Sequence, residues 1–162
     1  MMKDFGYYAG CFGRLHTAVK HGQPAPHKAL LLLAVIDLVE KGVILDNRVE
    51  PSEVLQKAFN DNAKRFFATS AVFKPEITKP FFHMQYEPFW QLVAADAADS
   101  AMAAESAAEY GQSKPPRSLK GLQQQFNHAV IDRELFDLLK NEDARARFRV
   151  LLISTYFNNR AD

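Results

Sequence analysis

The sequence contains one cysteine, Cys11, in 162 residues. One cysteine excludes an intramolecular disulfide framework and any zinc site built from several cysteines. The segment from Met1 to Phe5 lacks a basic region followed by an apolar run, so we identify no signal peptide. The longest uncharged apolar run ends at Asp37 and is too short to cross a bilayer. These absences predict a cytoplasmic protein with no membrane partner.

An excess of charge of one sign is also lacking. The chain has 20 Lys and Arg against 19 Asp and Glu, a formal net charge of +1, so any DNA-binding face must be a local patch. The five histidines are scattered and no segment pairs a nucleophile with a base. We therefore expect no catalytic residues, no bound metal and no cofactor. Thirteen phenylalanines, by contrast, predict a core filled largely by aromatic side chains.

The chain is organised around one apolar segment, residues 29–39. Pro24 and Pro26 fix φ just before it and exclude helix there. The segment itself is apolar nearly all round, which is typical of a helix buried as the axis of a core. His27 and Lys28 lie at its first turn, where backbone N–H groups and a cation suit an anion. The simpler interpretation is that the prolines only delimit a core helix and that Lys28 is solvated.

Other segments complete the predicted fold. We expect helices within residues 5–20, 54–59, 123–130 and 134–140 and from residue 141 onward, and a loop or broken helix over 60–79. Gly42 is expected to end the central helix and Asp132 to cap the helix at 134–140. Residues 79–85 and 89–93 predict two strands of a hairpin, with Pro80 in an edge strand. Residues 94–112, rich in alanine and acidic, predict a loosely held insertion.

The fold class predicted is mainly α (α+β). We expect one domain over residues 1–162, helical with a small β hairpin and close to a winged-helix arrangement.

Five separated blocks of the sequence carry a resemblance to a known family. They are Arg14-Leu15; Pro24-Ala25-Pro26-His27-Lys28 with the leucine run; Pro80-Phe81-Phe82 with Met84 and Phe89-Trp90-Gln91-Leu92; His128-Ala129-Val130-Ile131-Asp132 with Leu135; and Leu151-Leu152 with Thr155-Tyr156-Phe157. Across nearly its whole length, the alanine-rich stretch excluded, the chain resembles the sulfur-binding domain of phosphorothioate-dependent, HNH-linked restriction endonucleases. The resemblance implies binding to double-stranded DNA in which sulfur replaces a non-bridging phosphate oxygen, in restriction and defence. It also implies a partner nuclease domain, in cis or in trans, and the chain is then either a free-standing reader or part of a longer enzyme.

The same resemblance implies the site residues. The sulfur pocket would comprise His27, Lys28, Lys79, Pro80 and His83. Family members carry tyrosine and alanine where this chain has Lys79 and His83. Either the pocket is built differently here or the register through this segment is shifted, in which case Tyr86 and Pro88 are the alternative pair. The candidate DNA-contacting residues are Arg14, Pro26, Gln85, Arg117 and Lys120.

An apolar wall suits sulfur better than oxygen. Sulfur is the poorer hydrogen-bond acceptor, so a phosphate oxygen loses more when the wall removes its water. We expect the Pro80 ring, the Lys28 stem and the faces of the two histidines to form this wall, while the Lys28 ammonium reaches a neighbouring phosphate. On this view Lys28→Ala and Pro80→Ala weaken binding far more than they lower the melting temperature.

Two other functions are consistent with the sequence. A reader of a methylated base would flip the base into an aromatic pocket, for which Phe82, Tyr86 and Trp90 are candidates. A helical protein–protein interaction module would bind no DNA at all. His128 lies between apolar residues and is interpreted as a core or capping histidine.

Overall fold

The computed structural model describes residues 3–17, 19–20, 23–67, 76–95 and 115–157. Over these ranges the elements are α1 (Phe5–Gly13), β1 (Val19–Lys20), β2 (Gln23–Pro24), α2 (His27–Glu40), β3 (Arg48–Val49), α3 (Glu53–Phe67), α4 (Thr78–His83), β4 (Trp90–Ala94), α5 (Leu119–Gln125), β5 (Phe126–Ile131), α6 (Arg133–Leu139) and α7 (Glu142–Tyr156). A 3₁₀ turn, Met84–Tyr86, follows α4. The mainly α (α+β) class is confirmed. The predicted insertion lies outside the described residues from position 96 onward.

Helix α2 is the axis of the core, as predicted. All but three of its fourteen residues are buried, and it packs against α3, α4, α6 and α7. Such a helix presents apolar side chains on every side because it has neighbours on every side. It ends at Glu40, and Gly42 adopts a φ of +74°, the left-handed conformation expected at the C′ position.

Three strands form a small antiparallel sheet in the order β3-β5-β4. Trp90 pairs with Ile131 on one side of β5, and Arg48 pairs with Val130 on the other. The predicted helix over residues 123–130 is therefore only partly correct, because α5 ends at Gln125 and the chain continues as β5. Two flanking strands satisfy the backbone groups of β5 on both edges, and this pairing overrides the local helical spacing.

The predicted hairpin over residues 79–93 is wrong. Its first half is helix α4 followed by the 3₁₀ turn, and only its second half is a strand, β4, whose partner is β5. Pro80 is the third residue of α4, where its missing N–H would have no intrahelical acceptor. The first intrahelical bond here runs from the Phe81 N–H to the Ile77 carbonyl at 2.8 Å. Pro80 is thus buried inside a helix rather than placed in an edge strand.

The helix termini show which polar residues act locally. Asn141 caps α7 by accepting a hydrogen bond from the Ala144 N–H at 2.9 Å. Asp132 occupies the expected N-cap of α6, but its carboxylate makes no capping bond there and accepts instead from the Tyr8 hydroxyl at 2.7 Å. Helix α3 extends to Phe67, well beyond its predicted end. In the ranges described above, no helix combines the length and the apolar character needed to span a membrane.

Candidate functional site

A buried ion pair joins the start of α2 to the segment after α4. The Lys28 Nζ lies 2.7 Å from the Glu87 Oε2, and the two side chains are only 7% and 1% exposed. Lys28 is held there because it belongs to the first turn of the most buried helix of the fold. Glu87 is held because it directly follows the 3₁₀ turn and donates its backbone N–H to the Met84 carbonyl of that turn. The Lys28 ammonium, expected to reach a phosphate, is thus paired with a carboxylate inside the protein.

The chain after α1 closes this pair from the other side. The Tyr156 hydroxyl donates to the Phe12 carbonyl at 2.6 Å and accepts from the Leu15 N–H at 3.1 Å, which fixes the chain where α1 ends. The next residue, His16, then donates its backbone N–H to the Glu87 Oε2 at 2.8 Å. The His16 Nδ1 lies 3.1 Å from the same oxygen, while its side chain remains 72% exposed. Glu87 is thus fully engaged beneath an imidazole that faces solvent.

Two rings and a lysine lie beside the pair. The rings of His83 and Tyr86 are stacked, with centroids 6.1 Å apart and planes at 23°. Tyr86 is 52% exposed and His83 is half-buried. Lys79 is exposed one helical turn before His83 in α4. We call the buried pair with these neighbours and His16 the Lys28–Glu87 site.

Electrostatics keep the His83 imidazole neutral. Burial lowers the pKa of His83 below its ordinary value, and the positive charges of Lys28 and Lys79 lower it further. At neutral pH the ring is therefore uncharged, and with Tyr86 it presents a flat, polarisable surface. The accessible positive charge beside this surface belongs to Lys79.

The predicted pocket residues fall into two groups. Lys28, Lys79 and His83 come together, since both lysines act electrostatically on the imidazole. His27 begins α2 and is half-buried, whereas Pro26, Lys28 and Pro80 are buried. Lys79 is therefore the exposed member of the predicted set, His27 and His83 are partly accessible, and Pro80 and Lys28 are not accessible from solvent. The alternative pair, Tyr86 and Pro88, is exposed.

The predicted DNA-contacting residues are distributed over several elements. Arg14 is exposed at the C-terminal end of α1. Its guanidinium lies against Gly10, because a Cβ atom added at Gly10 would be 3.1 Å from the Arg14 Nη2. Gln85 is half-buried in the 3₁₀ turn, and its buried Nε2 has no hydrogen-bond partner among the residues that the structure describes. Arg117 and Lys120 are exposed just before and within α5, which packs on β5. These last two therefore belong to a different element from the Lys28–Glu87 site.

Sequence reasoning missed Glu87 and His16. Glu87 was assigned only to a turn, yet a signal was present, because it is the only Asp, Glu, Lys or Arg between Lys79 and Asp96. A lone carboxylate among apolar residues is buried only when it is paired. His16 carried no comparable signal, since its role depends on the Tyr156 contact.

The remaining predicted features lie outside this site. His128 is buried on β5 as predicted, with its Nδ1 2.7 Å from the Asn127 Oδ1. Burial lowers the pKa of His128, and Arg48 adds to this effect. Among the residues that the structure describes, no group of three or more His, Cys, Asp or Glu side chains is arranged to hold a metal ion.

Comparison with protein-family models and with curated proteins finds no match for the chain. The family resemblance therefore stays a prediction that depends on the five sequence blocks.

Proposed function

We propose that this chain is a cytoplasmic DNA-binding module that recognises phosphorothioate-modified double-stranded DNA in restriction and defence. Two independent observations support the proposal. One is the resemblance of five ordered sequence blocks to the sulfur-binding domain. The other, which carries the proposal, is the uncharged, half-buried ring of His83 stacked on the exposed ring of Tyr86, beside the exposed positive charge of Lys79.

This surface has the properties that discriminate sulfur from oxygen. Lys79 attracts a phosphorothioate and an ordinary phosphate alike, so its charge does not distinguish the two groups. The faces of the rings, unlike their N–H and O–H edges, offer polarisable contact but little hydrogen bonding, and a phosphate oxygen placed against a face loses water without compensation. One desolvated acceptor of this kind corresponds to roughly 1–3 kcal/mol, about tenfold to a hundredfold in affinity. The burial of Pro80 favours Tyr86 and Pro88, together with His83, as the atoms that meet the thio group.

Backbone contacts would come from exposed cations around this surface. Lys79 and Arg14 extend from α4 and from the end of α1. Such contacts fix the register of the protein on the duplex and make the affinity depend on salt. Arg117, just before α5, and Lys120, within it, would contact the duplex only if it extends beyond the first site.

The burial of aromatic side chains weighs against a base-flipping reader. Phe82 and Trp90 are each 1% exposed and pack against other aromatic rings of the core, Phe126 and Phe81 respectively. Neither can stack on an extruded base, which leaves Tyr86 alone. A protein-interaction module has the exposed Val43, Leu45 and Val54 in its favour and predicts no binding to any duplex.

A titration tests the proposal. Short fluorescent duplexes with randomised bases around one phosphorothioate link form two thio pools, one for each sulfur stereoisomer. The same duplexes with an ordinary phosphate at that link form the oxo pool, with which each thio pool is compared. We expect one thio pool to bind about tenfold or more tightly than the oxo pool. Lys79→Ala should weaken binding to both pools and reduce the salt slope by about 1, whereas Lys57→Ala on α3 should leave both unchanged.

Equal affinity for thio and oxo pools would contradict sulfur recognition, and no salt-sensitive binding would contradict DNA binding altogether. The same incubations with magnesium or manganese should leave the DNA uncut, because we propose that this chain binds and that a nuclease domain, in cis or in trans, cleaves.

A further inference from the structure

The proposed site has a buried carboxylate at its base, which is unusual for a surface that attracts DNA. Glu87 is 1% exposed and directly contacts the Lys28 ammonium. Its Oε2 also accepts the His16 N–H, and the exposed His16 imidazole lies over both carboxylate oxygens. A phosphate that approaches His16 or His83 therefore comes close to a negative charge as well as to a positive one.

The pair as a whole carries no net charge. A buried ammonium 2.7 Å from a carboxylate acts on groups beyond its immediate neighbours as a dipole rather than as a unit charge, although Lys28 still lowers the pKa of the adjacent His83. Without Glu87, the same ammonium would be a buried cation near His83 with no paired carboxylate, in a place where water screens it poorly. A cation in that position would bind the better hydrogen-bond acceptor more strongly, and that acceptor is oxygen rather than sulfur.

We propose that Glu87 sets the selectivity of the Lys28–Glu87 site by cancelling the charge of Lys28, so that an ordinary phosphate gains no electrostatic compensation there. This inference rests on the proposed function and extends it by naming a residue that rejects unmodified DNA. Glu87 acts through Lys28 and His16 and is a positioning residue, because its own oxygens are buried.

Selectivity should then follow the net charge of the pair. Glu87→Gln keeps the size and one acceptor oxygen and, at a pH low enough to keep the buried Lys28 protonated, leaves the pair with a charge of +1. We expect affinity for the oxo pool to rise about tenfold, and affinity for the thio pool to rise less than about threefold, so that the thio preference falls. The double variant Lys28→Met/Glu87→Gln returns the net charge to zero and should restore a preference within about threefold of that of the unmodified protein.

A matched control separates this local effect from a change in overall charge. Glu40 lies at the other end of α2, twelve residues and roughly 18 Å from Lys28, and its Oε1 accepts from the Arg149 Nη1 at 3.0 Å. Glu40→Gln raises the net charge of the protein by the same single unit. Its thio preference should match that of the unmodified protein.

The test measures thio and oxo affinities and their salt slopes for these proteins, after circular dichroism has shown that each is folded. An unmodified protein without thio preference overturns the proposed function and this inference with it. A selective protein whose Glu87→Gln variant keeps the full preference overturns this inference alone. If Glu87→Gln does not fold, the double variant decides, because loss of its thio preference would show that selectivity does not follow the net charge of the pair.

Discussion

Removing the Lys28 ammonium while keeping the length of the side chain should destabilise the fold strongly. Lys28→Met leaves the Glu87 carboxylate, 1% exposed, with His16 as its remaining partner in the site. Breaking a buried ion pair in this way costs about 3–5 kcal/mol, against a typical free energy of unfolding of about 5–15 kcal/mol. For a chain of this length the melting temperature should fall by roughly 6–20 °C.

The chain offers a matched control for this substitution. Lys57 also pairs with a carboxylate, that of Asp61, at 3.2 Å, but the two side chains are 77% and 52% exposed. Lys57→Met should therefore cost less than about 0.5 kcal/mol. Urea unfolding at neutral pH, followed by circular dichroism, measures both variants.

A double-mutant cycle completes the experiment. Lys28→Met/Glu87→Gln removes both charges, so more than half of the stability lost in Lys28→Met should return. The reasoning is refuted if Lys28→Met costs no more than Lys57→Met, or if the two single substitutions add in the double variant. Because Lys28 stabilises the fold, Lys28→Ala cannot separate binding from stability as the sequence suggested, and Lys79→Ala is the cleaner probe.

Three further predictions concern stability. Tyr156→Phe removes the hydroxyl that connects α7 to the end of α1, and should cost about 1–3 kcal/mol in urea unfolding because two buried backbone groups lose their partner. The free energy of unfolding should be largest above pH 6.5, the ordinary histidine pKa, and should decrease at lower pH. The reason is that His83 and His128 have lowered pKa values in the folded protein, so the unfolded chain binds protons more readily. Unfolding measured from pH 7.5 to pH 5.5 (roughly the histidine range) should show a shallower slope in His83→Gln/His128→Gln, and an unchanged slope would contradict this. Gly42→Ala should cost about 1 kcal/mol from its positive φ alone, since no atom lies within 4 Å of the added Cβ, and an unchanged urea midpoint would contradict that strain.

Local sequence signals predicted the elements whose stability is local. The apolar run of α2, the glycine after it and the start of the last helix at Asn141 are properties of a few neighbouring residues. Each has a physical effect that does not depend on the rest of the chain, such as the φ that only glycine adopts easily. These features were therefore predicted correctly.

The incorrect hairpin has a different cause. Residues 80–84 form a short, mostly apolar run, and such a run does not reveal from its spacing whether it is a buried strand or a buried helix. The partner of β4 is β5, more than thirty positions further along the sequence, and no turn residue indicates so distant a pairing. For the same reason β5 was mistaken for part of a helix.

The sequence drew attention to Lys28 but did not reveal its partner. Lys28 was expected to be a phosphate contact because it begins a helix beside an imidazole. Its partner Glu87 lies 59 positions away, and their contact requires α2, α4 and the 3₁₀ turn to be assembled first. Tertiary packing thus converts a cation predicted to be accessible into half of a buried pair, while Lys79 and Tyr86 remain at the surface.

The most direct measurement is the ratio of dissociation constants of the unmodified protein for one duplex sequence with and without a single sulfur, taken from the tightest-binding thio duplex of the pool, at about 50 and about 200 mM salt. The account predicts that both affinities weaken with salt while the ratio stays at about ten or more, because the charge is shared and the discrimination comes from desolvation. A ratio near one at both salt concentrations would contradict it.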